Sequence, residues 1–309
     1  MIGVPATIST VGRLERFRVV GSTNDVVRGW LAEGTPEVCV AVADEQSAGR
    51  GRLGRSWIAP PGTALLLSAG FRPTWLAADR AWRLGATVSL AMADAAEDAA
   101  GLPVGAVRLK WPNDLVIETH GPHALIGGVS SAAEAAARLA APVELRKLAG
   151  VLGESQGLGT DDPRVVIGLG INAGWAAADF PPELAATMTS LHEASGGRPI
   201  DGEALLEAFL GHLDARLGAL RAGYFDIATW TERQALTGLE VTLQGTGSGA
   251  ADDARAAADA PVHVRVDGVD ASTGALVVSG ATGVGDGDGA QRSIHAGEVV
   301  RVRIARDGV

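Results

Sequence analysis

From residue 18 to about residue 236, extended apolar runs alternate with apolar residues at helical spacing, and at Gly238 this alternation stops. Beyond it the chain holds only short extended runs, at residues 239–243, 262–266, 275–278 and 298–304, between turns rich in Gly and Asp. No single layer architecture absorbs both patterns. The sequence therefore divides into an α+β body, residues 1–237, and a small all-β unit, residues 238–309. A length of 309 residues, roughly twice an ordinary domain, agrees with two units. Hydrophobic residues make up 47% of the chain and aromatics only 4%, so the core must be built mostly from Val, Leu, Ile and Ala.

Within the body, strands are expected at residues 18–20, 38–43, 63–70, 107–110, 115–117, 147–154 and 165–169. Helices are expected after the capping side chains of Ser22, Thr23, Asn24 and Asp25, and over residues 80–100, 201–221 and 224–236. Pro112 with Asn113 and Asp114 between two extended runs is hairpin chemistry. Residues 118–146, 245–260 and 280–291 read as loose, mobile insertions.

Asp and Glu number 36 against 26 Lys and Arg, a net charge of -10, which makes the chain a poor general binder of nucleic acid. The longest stretch without a charged residue, 56–71, is interrupted by Pro60 and Pro61 and is too short to span a bilayer. The N-terminus lacks an apolar core behind a basic start, so no signal peptide is expected. A single cysteine, Cys39, in an apolar run excludes an intrachain disulfide and reads as a buried hydrophobe. These features predict a soluble, cytoplasmic chain.

Four segments carry candidate chemistry. Gly49-Arg50-Gly51-Arg52-Leu53-Gly54-Arg55-Ser56-Trp57 matches a dinucleotide-type glycine pattern, but two prolines and a strand follow it where a helix should open. Freed backbone amides and guanidinium forks suit phosphates and carboxylates; a solvated basic loop is the plainer alternative. Lys110-Trp111-Pro112-Asn113-Asp114-Leu115 ends an apolar strand on a lysine, which an anion would neutralise and which a strand edge in water would equally tolerate. The stretches Lys147-Leu148-Ala149-Gly150-Val151-Leu152 and Gly168-Leu169-Gly170-Ile171-Asn172 place glycines where a ligand could approach backbone, or where strands simply turn.

Taken in order, with Ser22-Thr23-Asn24 in front, these segments closely resemble the biotin–protein ligases over roughly residues 19–172, and the tail more loosely resembles that family's SH3-like C-terminal domain. The resemblance implies a mixed-sheet biotin/lipoate ligase-like catalytic domain followed by a small SH3-like β-barrel. It implies formation of biotinyl-5′-AMP from biotin and ATP, then transfer of biotin to a lysine of a biotin carboxyl carrier protein domain of an acyl-CoA carboxylase. On the same ground Ser22, Thr23, Asn24, Gln46, Arg50, Gly51, Arg52 and Lys110 would contact biotin. Arg52, Arg55, Trp57, Asn113, Lys147 and Asn172 would contact ATP or the adenylate, with Trp57 against adenine. Lys110, between the biotin carboxylate and the α-phosphate, and Arg52 would be catalytic, and Asp114, with Asn113, would help hold Mg²⁺. The 49–57 loop is expected to be mobile until ligand orders it.

Within that frame Ser22 begins too near the start of the chain to leave room for an N-terminal DNA-binding domain, so no operator binding is expected. His120 and His123 have helical spacing but no third ligand in view, and a solvated loop is the expected reading. A lipoate–protein ligase shares related chemistry but lacks the glycine–arginine loop in this form. A non-catalytic binding relative should have lost Lys110 or Arg52, and both are present.

Overall fold

The computed structural model describes residues 10–125, 131–244, 261–282, 291–295 and 298–303. Seven strands form the main sheet: β1 (Arg13–Val20), β2 (Cys39–Gln46), β3 (Ala64–Phe71), β4 (Val107–Lys110), β5 (Asp114–His120), β6 (Glu144–Gln156) and β7 (Arg164–Asn172). Their order is β1-β2-β3-β7-β6-β5-β4. Only β1 and β2 run parallel; every other neighbouring pair is antiparallel.

Side chains alternate between the two faces of this sheet. One face carries Val40, Val42, Leu65, Leu67, Ala69, Ile167, Leu169, Ile171, Leu115 and Ile117, all buried under α2 (Trp82–Ala100) and, farther along, α6 (Gly202–Arg221). At about 1.5–3 kcal/mol per buried aliphatic side chain, this layer is the main source of stability. Asp201 caps α6 by accepting from the backbone N–H groups of Glu203 and Ala204 at 2.9 and 3.2 Å. On the opposite face α1 (Thr23–Ala32) covers only the β2, β3 and early β7 side, packing Val27, Trp30 and Leu31 on Cys39, Ala41 and Val166. The rest of that face is left for a cavity.

The expected 118–146 insertion is not structureless. β5 runs on to His120, β6 begins at Glu144, and between them lies α3 (Ala132–Ala140), whose N-cap Ser131 hydroxyl accepts from Glu134 N at 3.2 Å. Ala is the best helix former, and a capped Ala-rich run forms a helix despite its low complexity. Short helices α4 (Pro182–Ala185) and α5 (Leu191–Ala194) follow β7, and the helix expected over 224–236 is the shorter α7 (Ile227–Glu232).

Strands β8 (Glu240–Gln244), β9 (Val262–Val269), β10 (Leu276–Thr282), β11 (Arg292–Ile294) and β12 (Glu298–Arg303) form a second, antiparallel sheet in the order β11-β10-β9-β8-β12. Its core of Val241, Leu243, Val264, Val266, Leu276, Val278, Ile294 and Val299 also takes in Trp111, from the turn after β4. The expected insertion at 245–260 and residues 283–290 of the third one lie outside the described residues. No helix among the described residues is long and apolar enough to cross a membrane.

Candidate active site

The uncovered part of the sheet floors a cavity of about 990 Å³, lined by strand residues, the 49–57 loop, residues 184–188 and Val299 of β12. Gly168 and Gly170 of β7 and Gly150 of β6 lie on this face, with Gly150 paired to Gly170 on one side and to Asp114 on the other. The missing side chains make a shelf. A Cβ on Gly170 would sit 2.6 Å from Trp57 Cε2, and one on Gly150 would sit 3.1 Å from Trp57 Cζ3. The indole of Trp57 therefore lies directly on backbone, and its Nε1 is buried without a hydrogen-bond partner among the described residues.

One end of the cavity is polar and uncharged. Ser22 occupies the N-cap position of α1 in extended conformation, yet its side chain makes no capping hydrogen bond; it is buried and faces the cavity instead. Thr23 donates through its backbone N–H and its hydroxyl to Gln46 Oε1, at 2.8 and 3.1 Å. Asn24 packs over Gly168, where a Cβ would fall 2.1 Å from its Oδ1. The other end is charged. Lys147 Nζ lies 2.7 Å from Asp114 Oδ1, a charge contact without hydrogen-bond alignment, and 5.6 Å from the centroid of the Trp57 ring. An irregularity in register sets this up: Leu115 pairs with Ala149 but Val116 pairs with Lys147, so one extra residue in β6 turns Lys147 onto the cavity face.

The glycine–arginine loop folds as a small hairpin. Arg50 and Ser56 form an antiparallel bridge, Gly51 N donates to Arg55 O at 2.6 Å, and Trp57 N donates to Gly49 O at 2.9 Å. Arg52 and Arg55 line the cavity, with Arg52 Nη1 3.5 Å from Asn113 Oδ1. Arg50 also borders the cavity, but its guanidinium makes a two-pronged ion pair with Asp25 of α1, both contacts 2.8 Å, and a third contact to Glu154 of β6 at 3.3 Å. Its side chain clamps the flap to the body.

The cavity thus brings together every expected site residue except Asn172. Asn172 does not line it: its side chain is buried and donates to Thr189 O at 2.9 Å, bracing the segment behind Lys147. Lys110 lines the cavity but turns its ammonium toward the β-unit, 3.4 Å from Val299 O. Lys147, expected as an adenylate contact, lies at the charged end beside Asp114 and Trp57. Strand periodicity alone would put Lys147 with Ala149 and Val151 on the covered face, and nothing in its own sequence signals the extra residue. Asn113 donates to Val151 O at 3.0 Å and accepts Val151 N at 2.8 Å through its backbone, so it also ties the β4–β5 turn to β6. Sequence reasoning did not anticipate Leu184, Thr187 and Met188, which also line the cavity.

Among the described residues no three His, Cys, Asp or Glu side chains converge on a possible metal position. Asp114 and Asn113 supply one carboxylate and one amide on the cavity wall. That donor set fits an ion carried in by a polyphosphate rather than one caged by protein. His120 instead contacts Glu144 Oε2 at 2.8 Å. Burial pushes the Cys39 thiol up to about 11, in keeping with a packing role.

Comparison with known proteins gives the family. Residues 16–172 match the family model of the biotin/lipoate A/B protein ligases, and the chain belongs to that family. It is 30% identical over 261 residues to the biotin–[acetyl-CoA-carboxylase] ligase of Paracoccus denitrificans, covering 82% of this chain and 89% of that one. It is 31% identical over 192 residues to the bifunctional ligase/repressor BirA of Bacillus spizizenii, covering 62% of this chain. The match spans about half, 50%, of the length of that relative. The fold is similar to that of the Aquifex aeolicus biotin protein ligase in complex with biotin and ATP, with a TM-score of 0.63 and 22% identity over 91% of this chain and 99% of that one.

Proposed function

We propose that this chain is a biotin–protein ligase that joins biotin to AMP and passes the biotinyl group to one lysine of a carrier domain. The observation that carries this reading is the two-ended cavity: an uncharged hydrogen-bonding end at Ser22, Thr23, Asn24 and Gln46, and a cationic end at Lys147, Arg52 and Lys110, joined by a glycine shelf. Biotin has the matching polarity, a polar cyclic urea at one end and a carboxylate at the other. Relatives named as biotin–[acetyl-CoA-carboxylase] ligases, and a similar fold solved with biotin and ATP, support it.

In this mechanism the carboxylate attacks the α-phosphorus of ATP, the bond to the β-phosphate breaks, and pyrophosphate leaves. Two anions must meet, so Lys147 and Arg52 screen their repulsion and stabilise the charge that develops. Arg55 and Lys110 meet the outgoing phosphates, and Trp57 lifts from the shelf to stack on adenine. Asp114, with Asn113, would hold Mg²⁺ riding on the polyphosphate, which would supply charge neutralisation. A carrier lysine then attacks the acyl carbon, losing its proton as AMP departs. The flap, closed over the adenylate, keeps water out. In this reading the 238–309 unit corresponds to the SH3-like domain of such ligases, and Val299 among the cavity-lining residues supports a part for it at the nucleotide end. A lipoate-activating relative is the second reading, disfavoured by the polar end, since a dithiolane ring cannot pair with it. Pyrophosphate exchange into ATP separates them: exchange driven by biotin and not lipoate is expected, and the reverse overturns the reading.

A further inference from the structure

Beneath the polar end lies a hydroxyl that does not line the cavity. Ser68 of β3 is fully buried, paired in register with Gly168. Its Oγ is 2.7 Å from Thr23 Oγ1 and 2.6 Å from the side-chain amide of Asn24, at the Oδ1 position. Asn24 is itself only 4% exposed, and the other edge of its amide has no hydrogen-bond partner among the described residues. We propose that Ser68 is a positioning residue that sets the direction of a hydrogen-bond chain, Asn24–Ser68–Thr23–Gln46, and thereby decides which edges of Asn24 and Gln46 meet the ligand. This deepens the biotin reading and rests on it.

The direction follows from counting protons. The backbone N–H of Thr23 can only donate, so Gln46 must present its oxygen there, and its NH₂ faces away as a fixed donor. The same oxygen carries no proton, so the Thr23 hydroxyl donates to it as well. Thr23 Oγ1 is then left to accept, and Ser68 spends its one proton on it. Ser68 Oγ can now only accept, which requires the NH₂ of Asn24 on that side. Amide oxygen and nitrogen are told apart by their partners, and this orientation pairs the buried donor and turns the Asn24 oxygen outward. The polar end therefore offers one acceptor, from Asn24, and one donor, from Gln46. A ligand edge with an N–H beside a C=O satisfies both, as a cyclic urea does. A ring without that edge leaves both buried and unpaired, the kind of mismatch that discriminates most strongly.

The test measures dissociation constants of the full chain for biotin, for the two cyclic carbamates in which one or the other ureido N–H is replaced by oxygen, and for ATP. Wild type should prefer biotin strongly over at least one carbamate. Ser68→Ala frees the Asn24 amide to turn, so biotin should weaken by about tenfold, the preference over that carbamate should narrow by a similar factor, and ATP affinity should stay unchanged. Thr23→Val lets Ser68 give its proton to Asn24 and should narrow the preference at least as far; it carries the test if Ser68→Ala does not fold. Equal weakening of biotin and carbamate, or an unchanged preference in the folded variants, overturns the assignment. A wild type that binds ATP but no biotin overturns the biotin reading itself, and this inference with it.

Discussion

At the residue scale the cavity is defined by atoms that are missing. Gly168→Ala would place a Cβ 2.1 Å from the side-chain amide of Asn24, between β-strand backbone that cannot yield and a buried side chain. Overpacking of this kind costs about 1–3 kcal/mol, read as a lower denaturant midpoint, and biotin affinity should fall by about 100-fold as Asn24 is driven off. Near-native affinity would remove Asn24 from the site. The two lysines make a paired prediction. Lys147→Met should lower kcat/KM for biotin-dependent pyrophosphate exchange by about 10²–10³, the range for loss of one oxyanion-stabilising group, and Lys110→Met by clearly less. The opposite order would support the catalytic role that the family resemblance implies for Lys110. Residue types were legible because glycines, arginines and lysines at strand ends have few reasons to cluster. Which way Lys147 and Asn172 point was not, because a single extra residue in β6 reverses a side chain and an Asn at a strand end fits either face.

At the element scale the flap is held by charge. Arg50 and its partners Asp25 and Glu154 are partly exposed, with side-chain exposures of 37%, 44% and 29%, so the ion pairs contribute no more than about 1 kcal/mol. Asp25→Asn should therefore leave the melting temperature nearly unchanged yet speed proteolysis within residues 49–57. Biotin with ATP should suppress that cleavage in both proteins; equal cleavage with and without ligand would contradict the shielding role. Individual strands and the long helices could be read from the sequence because their apolar runs are long and bury one or both faces. The sheet order could not, since the parallel β1–β2 pair and the placing of β7 between β3 and β6 are non-local choices. Helix α3 escaped notice because alanine and glycine around it resemble linker composition.

At the scale of the whole molecule, the turn between β9 and β10 joins the two units. Trp82 donates to Ser272 O at 3.2 Å and Trp111 donates to Gly274 O at 3.3 Å. Asp270 organises the turn, accepting from the Ser272 hydroxyl and from the backbone N–H groups of Ser272 and Thr273. These donors, the Ser272 hydroxyl first, hold its carboxyl down at about 2. A depressed carboxyl stabilises the fold above the ordinary carboxylate range, and that contribution is lost as pH falls toward 2. Asp270→Asn should flatten the acid side of the stability profile between about pH 4 and 2, monitored by tryptophan fluorescence; an unaltered profile would show that these donors do not hold the carboxyl down in the folded protein. The change of pattern at Gly238 anticipated the short strands of the second sheet, but not that Trp111 would enter its core. The most direct measurement incubates the chain with biotin, ATP, Mg²⁺ and a biotin carboxyl carrier domain and reads the acceptor by mass spectrometry. One biotinyl group on a single lysine, absent with Lys147→Met, is the predicted result; an unmodified carrier with intact wild-type protein, or labelling that does not depend on Lys147, would contradict it.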